Sequence, residues 1–197
     1  MISHEPSFHW RSQPFDQWLR ALLACHPRWI AIDGRGGAGK STLAARMSDV
    51  TGAPVVYVDD VSWNFSRFGW AEELKENIVA PVNAGEAVDY RPPGWVTHNR
   101  PGSIRVPGRC PLVIIEGTGL LRPELEWDTG VWVAGDLEAL RARCIERGED
   151  PNFYDDWQVE ELPFIENNRP WLRADDVVDG SNLLGETIFH TATHLPE

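Results

Sequence analysis

Apolar positions along this chain follow two rhythms. From residue 14 to 25, "PFDQWLRALLAC", Phe15, Trp18, Leu19, Leu22 and Leu23 recur every three or four positions, which predicts an amphipathic helix that covers a core. Elsewhere the apolar residues come in short unbroken runs: Trp29-Ile-Ala-Ile32, Pro54-Val-Val-Tyr-Val58, Leu112-Val-Ile-Ile115, Gly130-Val-Trp-Val-Ala134 and the brief Asp176-Val-Val178. Runs of that length, bounded by turn-forming residues, predict strands buried on both faces. Between them the period returns to that of a helix, in Thr42-Leu-Ala-Ala-Arg-Met47 and in residues 136–148, "DLEALRARCIERG", where Asp136 is placed to cap the start and Gly148 to end it. Alternating buried strands and helices predict an α/β fold of three layers, a five-stranded parallel sheet with helices on both faces.

The joint between the first of these strands and the helix after it carries the clearest chemistry. Gly34 to Ser41 fits G-x-x-x-x-G-K-[ST], the spacing of a phosphate-binding P-loop, set between a strand and a helix as that loop requires. Glycines let successive backbone N–H groups turn inward around phosphate oxygens, where a Cβ would block the approach. The expected phosphate contacts run through Gly34, Arg35, Gly36, Gly37, Ala38, Gly39, Lys40, Ser41 and Thr42, with Lys40 on the terminal phosphates and Ser41 on Mg²⁺. The ligand is then a nucleoside triphosphate, read as ATP with magnesium. Two other strands end in acids, Asp59-Asp60 and Glu116, and ligands of such sheets sit beyond the carboxyl ends of the strands. Glu116 is therefore a candidate to assist the metal with Asp60, and the Asp59-Asp60 pair a candidate to orient or deprotonate a nucleophile.

Bulk properties narrow the class. A chain of 197 residues with 42% hydrophobic content suits a single α/β domain spanning 1–197, with 1–27 as an N-terminal helical extension. The opening "MISHEPSFHWRSQPF" lacks a signal-peptide core, and no apolar run approaches the roughly 18 residues of a membrane span, so the expected location is the cytoplasm, without membrane partners. Cys25, Cys110 and Cys144 are three, widely spaced and without a C-x-x-C pair, which predicts free thiols. A net charge of -12 repels polyanions and argues against nucleic acid as a partner. His4, His9, His26, His98, His190 and His194 form no metal-ligand spacing, and none is assigned to catalysis.

Taken in order, "IAIDGRGGAGKSTLA", "VVYVDD", "YRPPGW", "VIIEGTGLL" and "RADDVVDG" resemble the P-loop kinases similar to uridine kinase, particularly the small bacterial uridine kinase-like proteins, over residues 28–180. The resemblance implies phosphoryl transfer from ATP to a hydroxyl of a small molecule, with Asp59 as the base toward that hydroxyl. It also implies a lid over about 136–170 whose arginines, Arg143 and Arg147, close over the triphosphate. Where such proteins continue the acid with an aromatic pair, this chain has Asp60-Val61-Ser62, followed by Trp63, Phe65, Phe68 and Trp70. Trp63 is thus a candidate acceptor contact, together with Arg91 and Trp95 in the long segment "YRPPGWVTHNRPGSIRVPG". Two other readings stay open: a nucleotide-binding regulatory protein or slow ATPase, and a nucleoside monophosphate kinase, which needs a separate arginine cluster for its acceptor phosphate.

Overall fold

The computed structural model describes residues 5–63 and 65–191. Its centre is the expected parallel sheet. Strands β2 (Trp29–Gly34), β3 (Val55–Tyr57), β6 (Val113–Glu116), β7 (Thr129–Ala134) and β8 (Asp176–Asp179) pair in parallel in the order β8-β7-β2-β6-β3. Alternation of side chains along each strand feeds two separate cores. Trp29, Ala31, Val113, Ile115, Trp132 and Ala134 face one, while Ile30, Ile32, Ile114, Val131 and Val133 face the other. The runs are apolar throughout because both faces are covered.

One layer is formed by α1 (Phe15–Leu22) and α2 (Lys40–Thr51) with α7 (Leu137–Glu146), whose Trp18, Leu19, Leu43, Met47 and Leu140 share the second core. The opposite layer holds α3 (Val58–Ser62), then α4 (Ala71–Leu74) and α5 (Ala80–Asn83) joined by a π-helical turn at Lys75–Val79, and α8 (Pro151–Asn168). Within that layer a small antiparallel ribbon, β4 (Val88–Tyr90) and β5 (Ile104–Val106), brackets α6 (Pro93–Thr97), so the segment 90–108 is folded rather than a plain connector. Pro151 opens α8 at its first turn, where its missing N–H costs nothing, and Pro163 lies inside the helix.

The sheet is larger than the five strands expected. Two antiparallel strands, β9 (Thr187–Thr191) and β1 (Arg11–Pro14), extend the β8 edge to give seven. Residues 1–27 therefore supply a strand as well as helix α1. Histidines 4 and 194 lie outside the described residues. All three cysteines are free thiols, with Cys144 buried beneath the phosphate loop. Among the described residues no helix is long and apolar enough to cross a membrane.

Helix α1 is tied to the sheet by Trp18, whose indole N–H donates to Asp176 Oδ2 at 2.7 Å. Burial pushes the Asp176 carboxyl from 3.8 up to about 6, against the opposing pull of that bond and of His190. A carboxyl whose folded pKa is raised stabilises the fold fully only below its unfolded value, and that contribution is lost as pH rises through about 6. Asp176→Asn keeps an acceptor for Trp18 and removes the titration. Its melting temperature is expected to gain on the wild type as pH rises from about 4 to 7; a gap between the two that does not change with pH contradicts this role.

Candidate active site

Strand β2 sits at the point where the order reverses, β6 on one side and β7 on the other, which opens a crevice at its carboxyl end. Residues 35–39 cross that crevice as a loop and α2 starts at Lys40. Gly37 and Gly39 take positive φ, 78° and 97°. A Cβ on Gly37 would meet the Leu140 carbonyl at 2.7 Å, and one on Gly39 would meet Leu183 Cδ1 at 2.6 Å. The loop therefore needs glycine at both positions for conformation and for room.

Lys40 is aimed over the loop, with Nζ donating to the Arg35 carbonyl at 3.0 Å and to Thr118 Oγ1 at 3.1 Å. Thr118 in turn donates to the Gly34 carbonyl at 2.9 Å. Ser41 Oγ donates to Glu116 Oε1 at 2.8 Å. Glu116 is almost wholly buried, and burial raises its pKa; Lys40 and the Ser41 bond oppose that shift, while Asp59 and Asp60 add to it. A buried carboxylate facing two others is relieved by a cation. Ser41 and Glu116 therefore suit a magnesium ion that keeps most of its shell from phosphates and water. Among the described residues no group of three or more His, Cys, Asp or Glu forms a protein-only metal cage.

A cavity of about 330 Å³ opens over the loop, with Lys40, Ser41, Thr42, Glu116 and Thr118 on its floor. Asp59 and Arg147 line it from opposite elements, and Glu149, Phe153, Tyr154 and Trp157 close the lid side. Asp59 and Asp60 do not end a strand as expected. The chain turns into α3 at Val58, and both lie in the first turn of that helix, where negative charge is favoured.

Other expected positions fall differently. Asp60 pairs with Arg100, whose guanidinium also stacks 3.9 Å over Trp95, and it is not among the residues lining the cavity with Ser41. Arg143 is not among the residues lining the cavity; its Nη1 donates instead to the carbonyl of Gly180, just past the end of β8, at 2.8 Å. Trp95 is buried in the core, and Arg91 lies outside the cavity, donating to the Arg100 carbonyl at 3.0 Å. Trp63 is nearly half exposed and stacks on His98, ring centroids 4.5 Å apart.

Three residues that hold the site were not singled out by sequence. Thr118 anchors Lys40, as described. Asp33, just ahead of the loop, accepts the backbone N–H groups of Gly34, Gly119 and Leu121 at 2.7, 2.9 and 2.8 Å, which fixes the segment after Glu116 against the phosphate loop. Burial raises its pKa to about 6 in spite of those three donors. Glu161 of α8 reaches the loop itself, accepting the Gly36 N–H at 3.0 Å.

No protein-family model matches the sequence, and no curated protein matches it. The fold does match solved structures. A possible uridine kinase from Bacillus stearothermophilus superposes with a TM-score of 0.53 at 19% identity, over 82% of this chain and 95% of that one. A candidate fructose transport system kinase from Silicibacter sp. TM1040 gives 0.56 at 18% identity, over 77% of this chain and 93% of that one. The chain has the α/β fold of the P-loop kinases.

Proposed function

We propose that this protein is a P-loop kinase that uses Mg-ATP to phosphorylate a hydroxyl of a small molecule. The observation that supports this most directly is the opening of Asp59 onto the same cavity as Lys40, Ser41 and Glu116. A phosphate cradle alone serves any nucleotide-binding protein. A carboxylate facing its terminal end gives an acceptor hydroxyl a partner to orient it and take its proton. Loop N–H groups from Gly37 to Thr42 bind the phosphates, Lys40 meets the terminal ones, and Ser41 holds Mg²⁺ with Glu116 beside it. A magnesium ion held there would supply positive charge against the phosphate oxygens. Trp63 stacks on His98, and Arg100 pairs with Asp60, the neighbour of Asp59 in α3; this group is our proposed material for acceptor recognition.

A panel of nucleosides, sugars, vitamins and amino sugars, assayed for ADP release that depends on the added compound, tests the reading. A phosphomonoester product identified by mass spectrometry supports it. Tight ATP binding with slow, acceptor-independent hydrolysis across the panel points instead to a nucleotide-dependent regulatory protein.

Arg147 and Arg143 separate in this reading. Arg147 lines the cavity beside Glu149, with which it pairs. Its contact to the phosphates strengthens as negative charge builds on the leaving oxygen in the transition state, so Arg147→Ala is expected to lower kcat by about 10² with a much smaller change in ATP affinity. Equal losses in kcat and in binding assign Arg147 to ground-state binding instead.

A further inference from the structure

The phosphate loop is bonded to a negative charge that the kinase chemistry does not use. Glu161 has none of its surface exposed, and its carboxylate is surrounded by donors. Oε1 accepts the Gly36 N–H and the Trp157 indole N–H, both at 3.0 Å, and Oε2 accepts from Gln158 Nε2 at 2.6 Å. Arg35, itself buried, brings Nη1 to 4.0 Å of Oε2 while its Nε bonds Glu5 at 3.0 Å. Two of these donors belong to the phosphate loop. The other two belong to the helix that carries Glu161, one turn back toward its start.

That placement joins two walls of the cavity. Trp157 and Tyr154 lie about 4.0 Å from where a Cβ on Gly36 would stand, and both line the cavity. Trp157 is held by Glu161 on its indole nitrogen and by Arg67 over its ring. The Tyr154 hydroxyl is pushed up to about 12 by burial and by the Glu161 charge. A buried carboxylate with this many donors is expensive to expose and expensive to leave unpaired.

We infer that Glu161 is a positioning residue: it fixes the Gly36 end of the phosphate loop in its anion-binding shape by tying it to the middle of α8. In this arrangement the Glu161 end of α8 stays on the loop. The loop is thus shaped before nucleotide arrives, which lowers the ordering cost of binding.

Two variants of similar size separate this role from plain stability. Glu161→Gln keeps an acceptor oxygen for Gly36 and Trp157 and loses the charge opposite Arg35; Glu161→Met keeps volume and loses every acceptor. In nucleotide-free protein, amide exchange at Gly36 is expected to be slow in the wild type and in Glu161→Gln, and at least about tenfold faster in Glu161→Met, the worth of one lost bond to a charged group. Titration with ATP is expected to give a Kd about tenfold weaker in Glu161→Met and within about threefold of wild type in Glu161→Gln. Both variants lose thermal stability, so melting temperature alone does not track the effect. Folded Glu161→Met with slow Gly36 exchange overturns the inference, and so does a Glu161→Gln as impaired as Glu161→Met. If Glu161→Met does not fold, rapid exchange of Gly36 in the wild type overturns it alone. Only the ATP arm rests on the kinase reading; a wild type that binds no ATP defeats that reading and leaves the exchange arm to decide this one.

Discussion

Lys40→Ala is expected to abolish turnover and to weaken ATP binding by on the order of 10²-fold. The ammonium group spans the loop between the Arg35 carbonyl and Thr118 Oγ1, and it is the one cation that the loop spacing directs at the terminal phosphates. A hydrogen bond to a charged group contributes about 1.5–3 kcal/mol, and each 1.4 kcal/mol is tenfold in affinity. In the transition state the loss is larger, because negative charge builds on the leaving oxygen between the phosphates that Lys40 contacts. Calorimetric titration of the purified variant with Mg-ATP measures the first effect, and single-turnover ADP formation the second. Alanine is smaller than lysine and causes no steric problem at this half-buried helix start, so the fold should persist. Wild-type affinity in a folded Lys40→Ala would remove the phosphate loop from the site altogether.

That prediction was available from sequence because a phosphate loop is local: eight consecutive positions specify the turn, the donors and the cation together. The five parallel strands were legible for a related reason. Strands such as Val113–Glu116 are buried on both faces, and their runs are apolar without a break. The two added strands carry no such mark. Arg11–Pro14 is mostly exposed and has no apolar residue, and Thr187–Thr191 is mixed; both are defined by pairing at the sheet edge rather than by burial. Arg143 shows a second limit of a one-dimensional pattern. Its spacing from Arg147 gives a shared helix face, but only the docking of α7 decides that one guanidinium meets Gly180 and the other the cavity. Glu161 is beyond such reasoning for the same cause. In "DDWQVEELPF" it is one of four acids, and nothing in the string says which of them α8 turns onto the phosphate loop.

Asp59→Asn is expected to leave Mg-ATP binding close to wild type and to cut acceptor phosphorylation by about 10² to 10⁴, the usual worth of a positioned general base. Asparagine preserves size and can still accept a hydrogen bond, but it cannot take the proton as transfer proceeds. Asp60 provides the internal comparison. Its carboxylate is held by Arg100, so Asp60→Asn frees a guanidinium next to Trp95 and disturbs the flank of the site rather than its centre. The smaller loss is expected there, seen as a raised KM for the acceptor with kcat less affected. If Asp60→Asn is the more damaging for kcat, the two neighbours exchange roles. If neither change reduces phosphorylation in folded protein, the first turn of α3 is structural and Glu116 becomes the next candidate for the base.

The seam between β1 and β9 bears on how the chain is made. Arg11 pairs with His190 and Pro14 with Thr187, so the strand leaves the ribosome more than 170 residues ahead of its partner. At about 5–20 residues per second, the wait is on the order of 10 to 35 s. Through that interval β2, β3, β6 and β7 can pair in turn as they emerge, whereas Arg11–Pro14 has no edge to join. Its sequence suits the delay: with arginine, serine, glutamine and a proline that cannot donate to a ladder, the waiting strand offers little to a neighbouring nascent chain.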